Sequence, residues 1–405
     1  MRILKVVQAY YPFQEYGGPV VKVRALARGL AQRGHHVTVL TADLGLRKGN
    51  GHGMKVERCK WGWRSEQDGV EAIYLSTLAQ CRAITINPRV IGFCLASIRG
   101  FDVVHYYGLY DLLGPAVSSS CRLRDIPYVI EPMGMFRPIV RNIWLKRMYH
   151  RLLGRSFIGK AQFLIATSDQ EKGELIDGGI PSSRIVVRRN GVEIPERLPV
   201  RGEFRRQWGI PPDAKVVLFL GRLISKKSPD LLIEAFAQWR GKSNRGMDSV
   251  LVLAGPEEDD GFVPRLKRVA DQLGLGQSIR FVGPQYDKDK WQAYCDADVF
   301  VLPSLNENFG NTAAESAACG TPVIVTDRCG IASYVGQAGL VVAHDRGQMK
   351  LALGQLLDDP SLRQRYQEGC AKMARALSWD GPIGDTEKLY EQCLAGMTRQ
   401  RRFRF

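Results

Sequence analysis

The segment Asn306–Pro322 reads NENFGNTAAESAACGTP and carries two carboxylates, Glu307 and Glu315, around an expected helix start. Alternation of small and apolar residues predicts a helix from about Asn311 that stops at Cys319-Gly320. Helical side chains lean toward the N-terminus, so Glu315 is expected to point back toward the loop that bears Glu307. Free N–H groups of a first helical turn suit phosphate oxygens, while carboxylates accept hydrogen bonds from sugar hydroxyls. A diphosphate with a sugar at each end needs that combination.

A cationic pair supports the same chemistry. In GRLISKKSPD, Arg222 and Lys227 follow the apolar run KVVLFLG. An arginine fork and a lysine point charge at a strand's carboxyl end are suited to gripping a diphosphate. Lys226 competes with Lys227 for that role, and spacing alone does not separate them. Near the N-terminus, Gly17-Gly18 precedes Pro19 and a helical pattern. Such a turn is read either as a tight structural connection or as an anion site, where backbone N–H groups approach a ligand closely.

The elements needed to position these groups follow from hydrophobic periodicity. Ile3–Gln8 and HVTVLTAD read as strands on either side of a helix, VVKVRALARGLAQR, which stops at Gly34. Further strands are predicted at Ala72–Ser76, Asp102–His105, Tyr128–Glu131, Phe163–Thr167 and Ile185–Val187. The alternation restarts at Lys215–Gly221 and continues through VLVLAG, IRFVG, DVFVLP and PVIVTD. With no dominant hairpin signal, each half is expected to be a parallel sheet with helices on both faces. Ligands of open α/β sheets sit beyond the carboxyl ends of the strands, so two facing sheets would enclose an interdomain cleft.

Composition narrows the partners. The chain has 405 residues, of which 45% are hydrophobic and 24% charged, which suits a soluble protein of two domains. The basic N-terminal stretch has too short an apolar run for a signal-peptide core. No run approaches the roughly 18 apolar residues of a spanning helix. A cytoplasmic location, or a peripheral one on the inner face of the plasma membrane, is expected. The nine cysteines form no CxxC pair and read as reduced structural thiols, so zinc is not expected. A formal net charge of +16 asks for an anionic partner. Between Arg137 and Lys160 basic, aromatic and aliphatic residues alternate without one carboxylate, and Arg141, Trp144, Lys146, Arg147, Arg151 and Arg155 are the membrane-facing candidates. A solvated helix packed on its own domain is the competing reading of that stretch. A basic tail, RQRRFRF, begins at Arg399. No nucleic-acid motif accompanies the charge, so nucleic acid is not expected as a partner.

Several motifs in order resemble the retaining glycosyltransferases of family four, which have the GT-B fold. They are Gly17-Gly18, Asn190-Gly191-Val192, Gly221-Arg222 with Lys227, VLVLAGPEE, Glu307-x7-Glu315 with Phe309-Gly310, ACGTPV, and Ser378-Trp379-Asp380. The resemblance implies two facing Rossmann-like domains, with an N-terminal acceptor-binding domain over residues 1–192 and a linker over 193–213. A C-terminal nucleotide-sugar domain over 214–379 and a helix with basic tail over 380–405, packing back on the first domain, complete the expectation. It further implies that Arg222 and Lys227 hold the donor diphosphate, that Glu307 contacts the transferred sugar, and that Glu315 contacts the ribose. Backbone around Phe309, Gly310, Asn311 and Thr312 would meet phosphate and sugar, and Val282-Gly283 would lie against the base. Glu307, Arg222 and Lys227 are thus the expected catalytic groups.

The implied reaction moves a sugar with retained configuration from a UDP- or GDP-sugar to a saccharide or lipid-linked acceptor, without metal or other cofactor. Surface polysaccharide, lipopolysaccharide or glycolipid assembly is the implied setting. Asp296-Ala297-Asp298 resembles a metal-binding DxD but precedes its strand, and is read as structural. One departure stands out: Met133 occupies the place where many relatives have a His or Arg. Glu131 and His105, together with Met133, are the candidates for acceptor or sugar contacts. A sugar-nucleotide epimerase of the same fold, or a non-catalytic subunit binding an anion or nucleic acid, are the alternatives.

Overall fold

The computed structural model describes residues 1–13, 16–44, 46, 54–81, 84–136, 144, 148–149, 151, 154–241, 248–257 and 261–402. The chain forms two compact units, Met1–Gly191 with Trp379–Phe405, and Val192–Ser378. It passes between them at Gly191/Val192 and again at Ser378/Trp379.

Among the described residues the first unit holds a nine-stranded sheet. Its strands are β1 (Arg2–Val7), β2 (His36–Ala42), β3 (Glu57–Cys59), β4 (Gly62–Gln67), β5 (Val70–Leu75), β8 (Val103–Tyr107), β9 (Tyr128–Glu131), β10 (Phe163–Ala166) and β11 (Ile185–Val187). A separate hairpin pairs β6 (Ala79–Cys81) with β7 (Ile84–Ile86). The sheet order is β11-β10-β9-β8-β1-β2-β5-β4-β3. Strands from β11 to β5 run parallel, but β4 pairs antiparallel with both β5 and β3. The expectation of a wholly parallel sheet is therefore corrected at this edge. Its physical cause was present in the sequence: Asp68-Gly69 joins Gln67 to Val70, with φ of 53° and 73°, the positive pair that a two-residue hairpin turn requires.

Because side chains alternate across a strand, β1 sends Leu4 and Val6 to one face and Ile3 and Val7 to the other. The first face is covered by helices Arg89–Ser97, Leu113–Leu123 and Arg155–Lys160, through Phe93, Val117 and Phe157. The second is covered by helix Gly18–Gln32 and by the C-terminal helix Asp380–Arg402, through Leu26, Leu30, Ile383 and Tyr390. Burying one such Leu or Ile contributes about 1.5–3 kcal/mol.

That second face also holds a sealed polar cluster. Lys5 of β1 lies beside His105 of β8 in register, and Tyr107 beside Glu131 of β9. Glu131 accepts from Arg188 at 2.6 Å and from Lys22, and His105 Nε2 stands 3.6 Å away. The C-terminal helix contributes Tyr390, whose hydroxyl is 2.6 Å from His105 Nδ1 and accepts from Lys5 at 3.3 Å. Its Thr386 hydroxyl accepts from Arg188 at 3.0 Å. Lys5, His105 and Glu131 have no exposed surface. Burial works to raise the Glu131 carboxyl, but Arg188, Lys22 and His105 outweigh it and hold it well below its usual range. Burial pushes the His105 imidazole down to about 3, so the ring is neutral.

In the second unit, β12 (Lys215–Leu220), β13 (Ser249–Ala254), β14 (Ile279–Gly283), β15 (Val299–Leu302), β16 (Val323–Thr326) and β17 (Gly339–Val342) form an all-parallel sheet. Its order is β14-β13-β12-β15-β16-β17. Val216, Leu218 and Leu220 face helix Asn311–Ala318, and Val217 and Phe219 face helices Pro229–Arg240 and Arg346–Asp358. The proline-rich stretch after Val192 lies within this unit. Its short helix Glu203–Gln207 buries Phe204 and Arg205, and Arg205 donates to the carbonyls of Pro211, Pro212 and Ala214.

Arg205 also explains the DxD sequence. Its guanidinium reaches Asp298 Oδ2 at 3.1 Å and the Asp296 carbonyl at 2.9 Å, while Asp296 accepts from the Arg205 and Gly202 amides. Both carboxylates fasten the start of the unit to β12 and β15.

Two outcomes follow from the sealed cluster. Glu131→Gln leaves Arg188 and Lys22 buried without their counter-charge, and urea unfolding is expected to show about 3–5 kcal/mol lost. A loss under 1 kcal/mol would mean that the cluster does not hold the unit. The second concerns pH. His105 has a folded pKa below its unfolded one, so the unfolded chain binds the extra proton between pH 6.5 and about 3, and stability falls as pH is lowered through that window. Going from pH 7.5 to 5.5 should cost about 1.4 kcal/mol through this group. His105→Asn should remove that increment, and identical pH slopes in both proteins would refute it.

Candidate active site

The second sheet winds outward from β12 to β14 on one side and from β15 to β17 on the other. Loops leaving the carboxyl ends of β12 and β15 therefore diverge and leave a crevice, which is the ligand position of such sheets. Gly221, Arg222 and Lys227 follow β12, and Ser304–Gly310 follows β15. The two loops are tied, because Leu305 N donates to the Lys226 carbonyl at 3.0 Å.

The loop after β15 is held almost as an extra strand. Glu307 N donates to Arg328 O at 2.9 Å, Gly330 N to Glu307 O at 3.0 Å, and Ile331 N to Phe309 O at 2.6 Å. These bonds fix the backbone of Glu307, and Lys227 fixes its side chain, with Nζ 2.6 Å from Oε2. Both side chains keep some exposure, 15% and 18%. Burial works to raise the Glu307 carboxyl, yet Lys227, with Lys226 and Arg222, holds it below its ordinary value. Lys227 is thus the lysine whose amine reaches the carboxylate. Lys226 supplies its carbonyl to Leu305.

Phe309 is 2% exposed and packs on Tyr334 at a ring distance of 6.0 Å. Its side chain is core, so only its backbone faces ligand chemistry. Gly310 starts the Asn311–Ala318 helix with φ 114°, and a Cβ there would lie 2.8 Å from Ile331 Cγ2. Any other residue strains the backbone and collides with the core. Thr312 Oγ1 in the first turn and Ser304 Oγ at the start of the loop after β15 are buried with no hydrogen-bond partner among the described residues. Unpaired buried hydroxyls of this kind call for an explanation, and a ligand oxygen is one.

Glu315, on the same helix, accepts from Lys290 at 2.8 Å and from the Tyr294 hydroxyl at 2.9 Å. Lys290 and Tyr294 stand one turn apart on helix Asp287–Asp296. The sequence reading missed both, although their i, i+4 spacing was visible. Glu307 and Glu315 thus have separate lysine partners. Gly283 ends β14 with φ 70°, and its carbonyl accepts from Gly255 N at 2.8 Å.

The first unit repeats the winding reversal between β1 and β8. Gly17 caps helix Gly18–Gln32 without a side-chain bond, and Pro19 sits in the first turn. His105 and Glu131, weighed above as sugar contacts, are placed otherwise by the structure: strand alternation turns both into the sealed cluster, where neither has exposed surface. Met133 is half-buried with φ 54°, at a turn clamped by Glu171. The Glu171 carboxylate accepts from Gly134 N at 2.6 Å and Thr167 N at 2.8 Å. Lys5, Lys22, Glu171, Arg188 and Tyr390 were not singled out in the sequence. A lysine inside the apolar strand ILKVV was the available signal for Lys5.

Of the membrane-facing candidates, Trp144 is 70% exposed and Arg151 is exposed. Arg155 begins helix Arg155–Lys160, but its side chain lies outside the described residues, as do Arg141, Lys146 and Arg147. No helix among the described residues is long and apolar enough to cross a membrane.

Comparison with known proteins agrees with this fold. The model of the family "Glycosyl transferases group 1" matches residues 200–373, and that of the "Glycosyl transferase 4-like domain" matches residues 17–191. D-inositol 3-phosphate glycosyltransferase of Corynebacterium jeikeium is 30% identical over 395 residues, covering 93% of this chain and 92% of that relative. The protein of the same name from Corynebacterium urealyticum is 30% identical over 96% of this chain and 95% of its own. Among solved structures, sucrose-phosphate synthase from Thermosynechococcus elongatus superposes with a TM-score of 0.74 at 22% identity, covering 98% of this chain and 99% of that one. Anabaena HepE in complex with UDP and glucose gives a TM-score of 0.76 at 18% identity, covering 97% and 100%. By near full-length similarity and by fold, the chain belongs to the family-four glycosyltransferases of GT-B architecture.

Proposed function

We propose that this glycosyltransferase moves a sugar, with retained anomeric configuration and without metal, from a UDP- or GDP-sugar to a saccharide or lipid-linked acceptor of surface polysaccharide or glycolipid assembly. The observation that carries the donor assignment is the Lys227–Glu307 pair at the β12/β15 switch point. A cation and a carboxylate side by side match a donor whose diphosphate adjoins its transferred sugar. The HepE structures with UDP and with UDP-glucose support a uridine donor.

In the proposed reaction the bond from the anomeric carbon to the diphosphate oxygen breaks, and a bond to the acceptor oxygen forms on the same face. The acceptor's proton leaves with the departing diphosphate. Negative charge grows on that diphosphate, where Arg222, Lys227 and the N–H groups at the start of helix Asn311–Ala318 would stabilise it. Such fixed donors are worth about a hundredfold or more each in turnover. Glu307 would orient hydroxyls of the transferred sugar, and Glu315 those of the ribose. Gly283 would border the base.

Donor binding is read by differential scanning fluorimetry against UDP-, GDP- and ADP-sugars. One nucleotide class should stabilise the wild type, and Arg222→Ala and Glu315→Ala should both lose that shift. No shift with any donor would reject the assignment. A nucleoside diphosphate alone would take Lys227 and leave Glu307 half-buried without its partner, at a cost of about 1–3 kcal/mol. Glu307→Gln should therefore narrow the affinity gap between nucleotide sugar and nucleoside diphosphate, while lowering turnover about a hundredfold. An unchanged gap would remove Glu307 from the sugar contact.

A further inference from the structure

Glu315 sits among the buried residues Ala313, Ala314, Ser316 and Ala317, and its side chain is only 13% exposed. A carboxylate so far out of water stays charged only where it is paired and hydrogen-bonded. Both partners come from helix Asp287–Asp296. Lys290 Nζ lies 2.8 Å from Oε1, and the Tyr294 hydroxyl lies 2.9 Å from Oε2. Each carboxylate oxygen therefore has its own donor, and two bonds to different oxygens fix the plane of the group. The donors are anchored in turn. Tyr294 has no exposed surface, its ring packs edge-on against Phe300 of β15, and its carbonyl accepts from Thr321 at 2.7 Å. Lys290 Nζ stands 4.8 Å from the ring centre of Trp291, which packs on the same core.

What this arrangement leaves unused is as informative as what it uses. An ionised carboxylate offers about four lone-pair sites. With one donor on each oxygen, both oxygens keep acceptor capacity, in a plane the protein has already set. That suits a ligand with two neighbouring hydroxyls, one for each oxygen, such as the 2′- and 3′-hydroxyls of a ribose. Burial first, and the Glu315 charge after it, raise the Tyr294 phenol well above its ordinary value, so it stays protonated as a donor. Lys290 adds a second effect, because its charge offsets a carboxylate that would otherwise repel a diphosphate in the same site.

We propose that Lys290 and Tyr294 are positioning residues of the donor site, which hold Glu315 in the orientation that accepts from both ribose hydroxyls and so set the preference for ribonucleotide donors. The inference rests on the reading of Glu315 as the ribose contact. It adds that selectivity for the ribose is set by two side chains of helix Asp287–Asp296 that act through Glu315 rather than on the ligand.

The test is calorimetric titration of the full chain with UDP, GDP and ADP and with their 2′,3′-dideoxy counterparts. For the nucleotide that binds, wild type should prefer the ribose form by about tenfold or more, as expected of hydrogen bonds to a charged acceptor. Tyr294→Phe and Lys290→Met should each cut that ratio by about threefold or more. In Glu315→Ala the ratio should fall near one, and adding Tyr294→Phe or Lys290→Met should change it no further, because the three act as one unit. A merely structural role would lower the thermal melt and weaken both forms alike, and an unmoved ratio in both single variants overturns the proposal. A ratio that drops further in the Glu315→Ala background would place Lys290 or Tyr294 on the ligand itself and overturn the positioning role. The two readings fail separately. A ratio lost in Glu315→Ala but intact in Tyr294→Phe and Lys290→Met rejects this inference alone, whereas a ratio near one in wild type, or no binding of any nucleotide, rejects the ribose contact and this inference with it.

Discussion

A parallel strand can only be followed by another after the chain has crossed back over a face of the sheet, and that crossover is right-handed. This constraint decides where chemistry can occur in both units. All loops that leave parallel strands emerge at one end, and they part where the winding reverses, between β1 and β8 and between β12 and β15. Lys227 and Glu307 lie far apart in sequence, yet meet at 2.6 Å because the reversal makes β12 and β15 neighbours. The helix that starts at Asn311 then rises from the same loop, because Gly310 can adopt a φ that other residues cannot sustain there.

The two units place a carboxylate among cations in similar ways, with opposite consequences. Glu131 is enclosed by Arg188, Lys22 and His105 and capped by Tyr390, so its charge is fully compensated inside the protein. A buried charge of this kind is strongly destabilising when one partner is lost, and it holds strands and helices in one arrangement. Glu307 has one lysine and keeps access to solvent. Under the donor reading proposed above, its partner would be exchanged for a ligand at modest cost. The difference comes from what lies over each sheet: the C-terminal helix seals the first cluster with Tyr390 and Thr386. A group that can change partners is what the proposed turnover would use, and of these two arrangements the second leaves one.

Much of the fold was legible because buried parallel strands are continuous apolar runs. Tyr128–Glu131, Ile185–Val187 and Ile279–Gly283 were bounded correctly from sequence, and helix Asn311–Ala318 began and ended where its glycines indicated. The edge strands Glu57–Cys59 and Gly62–Gln67 were not legible from hydrophobicity, since WGWRSEQ alternates with polar residues and only Asp68-Gly69 announces the hairpin. Candidate ligand residues at strand ends were found because their types are unusual there. Lys290 and Tyr294 were missed because a Lys and a Tyr on a polar helix look like ordinary surface until the fold sets them against Glu315. Glu131 was misjudged for a related reason: a carboxylate at a strand end can face a crevice or a covering helix, and one sequence does not reveal which side the last helix takes.

Net charge shows the same limit from another side. A formal +16 counts Lys5, Lys22, Arg188, Arg205 and Arg363, which are all buried. Arg205 is engaged by Asp298, Arg188 by Glu131, and Arg363 by the carbonyls of Leu356 and Leu357. These cations serve folding and offer nothing to a partner. What a partner meets is set by where carboxylates are missing, and in the first unit they are missing from several stretches, among them 16–42, 72–101, 112–124 and 132–168. The described parts of those stretches supply the three helices that cover one face of its sheet and helix Gly18–Gln32 on the other. Acid-free segments thus lie on both faces of the first sheet, and the compositional excess belongs to the first unit as a whole rather than to one helical layer. An equal excess spread over both units would only raise solubility.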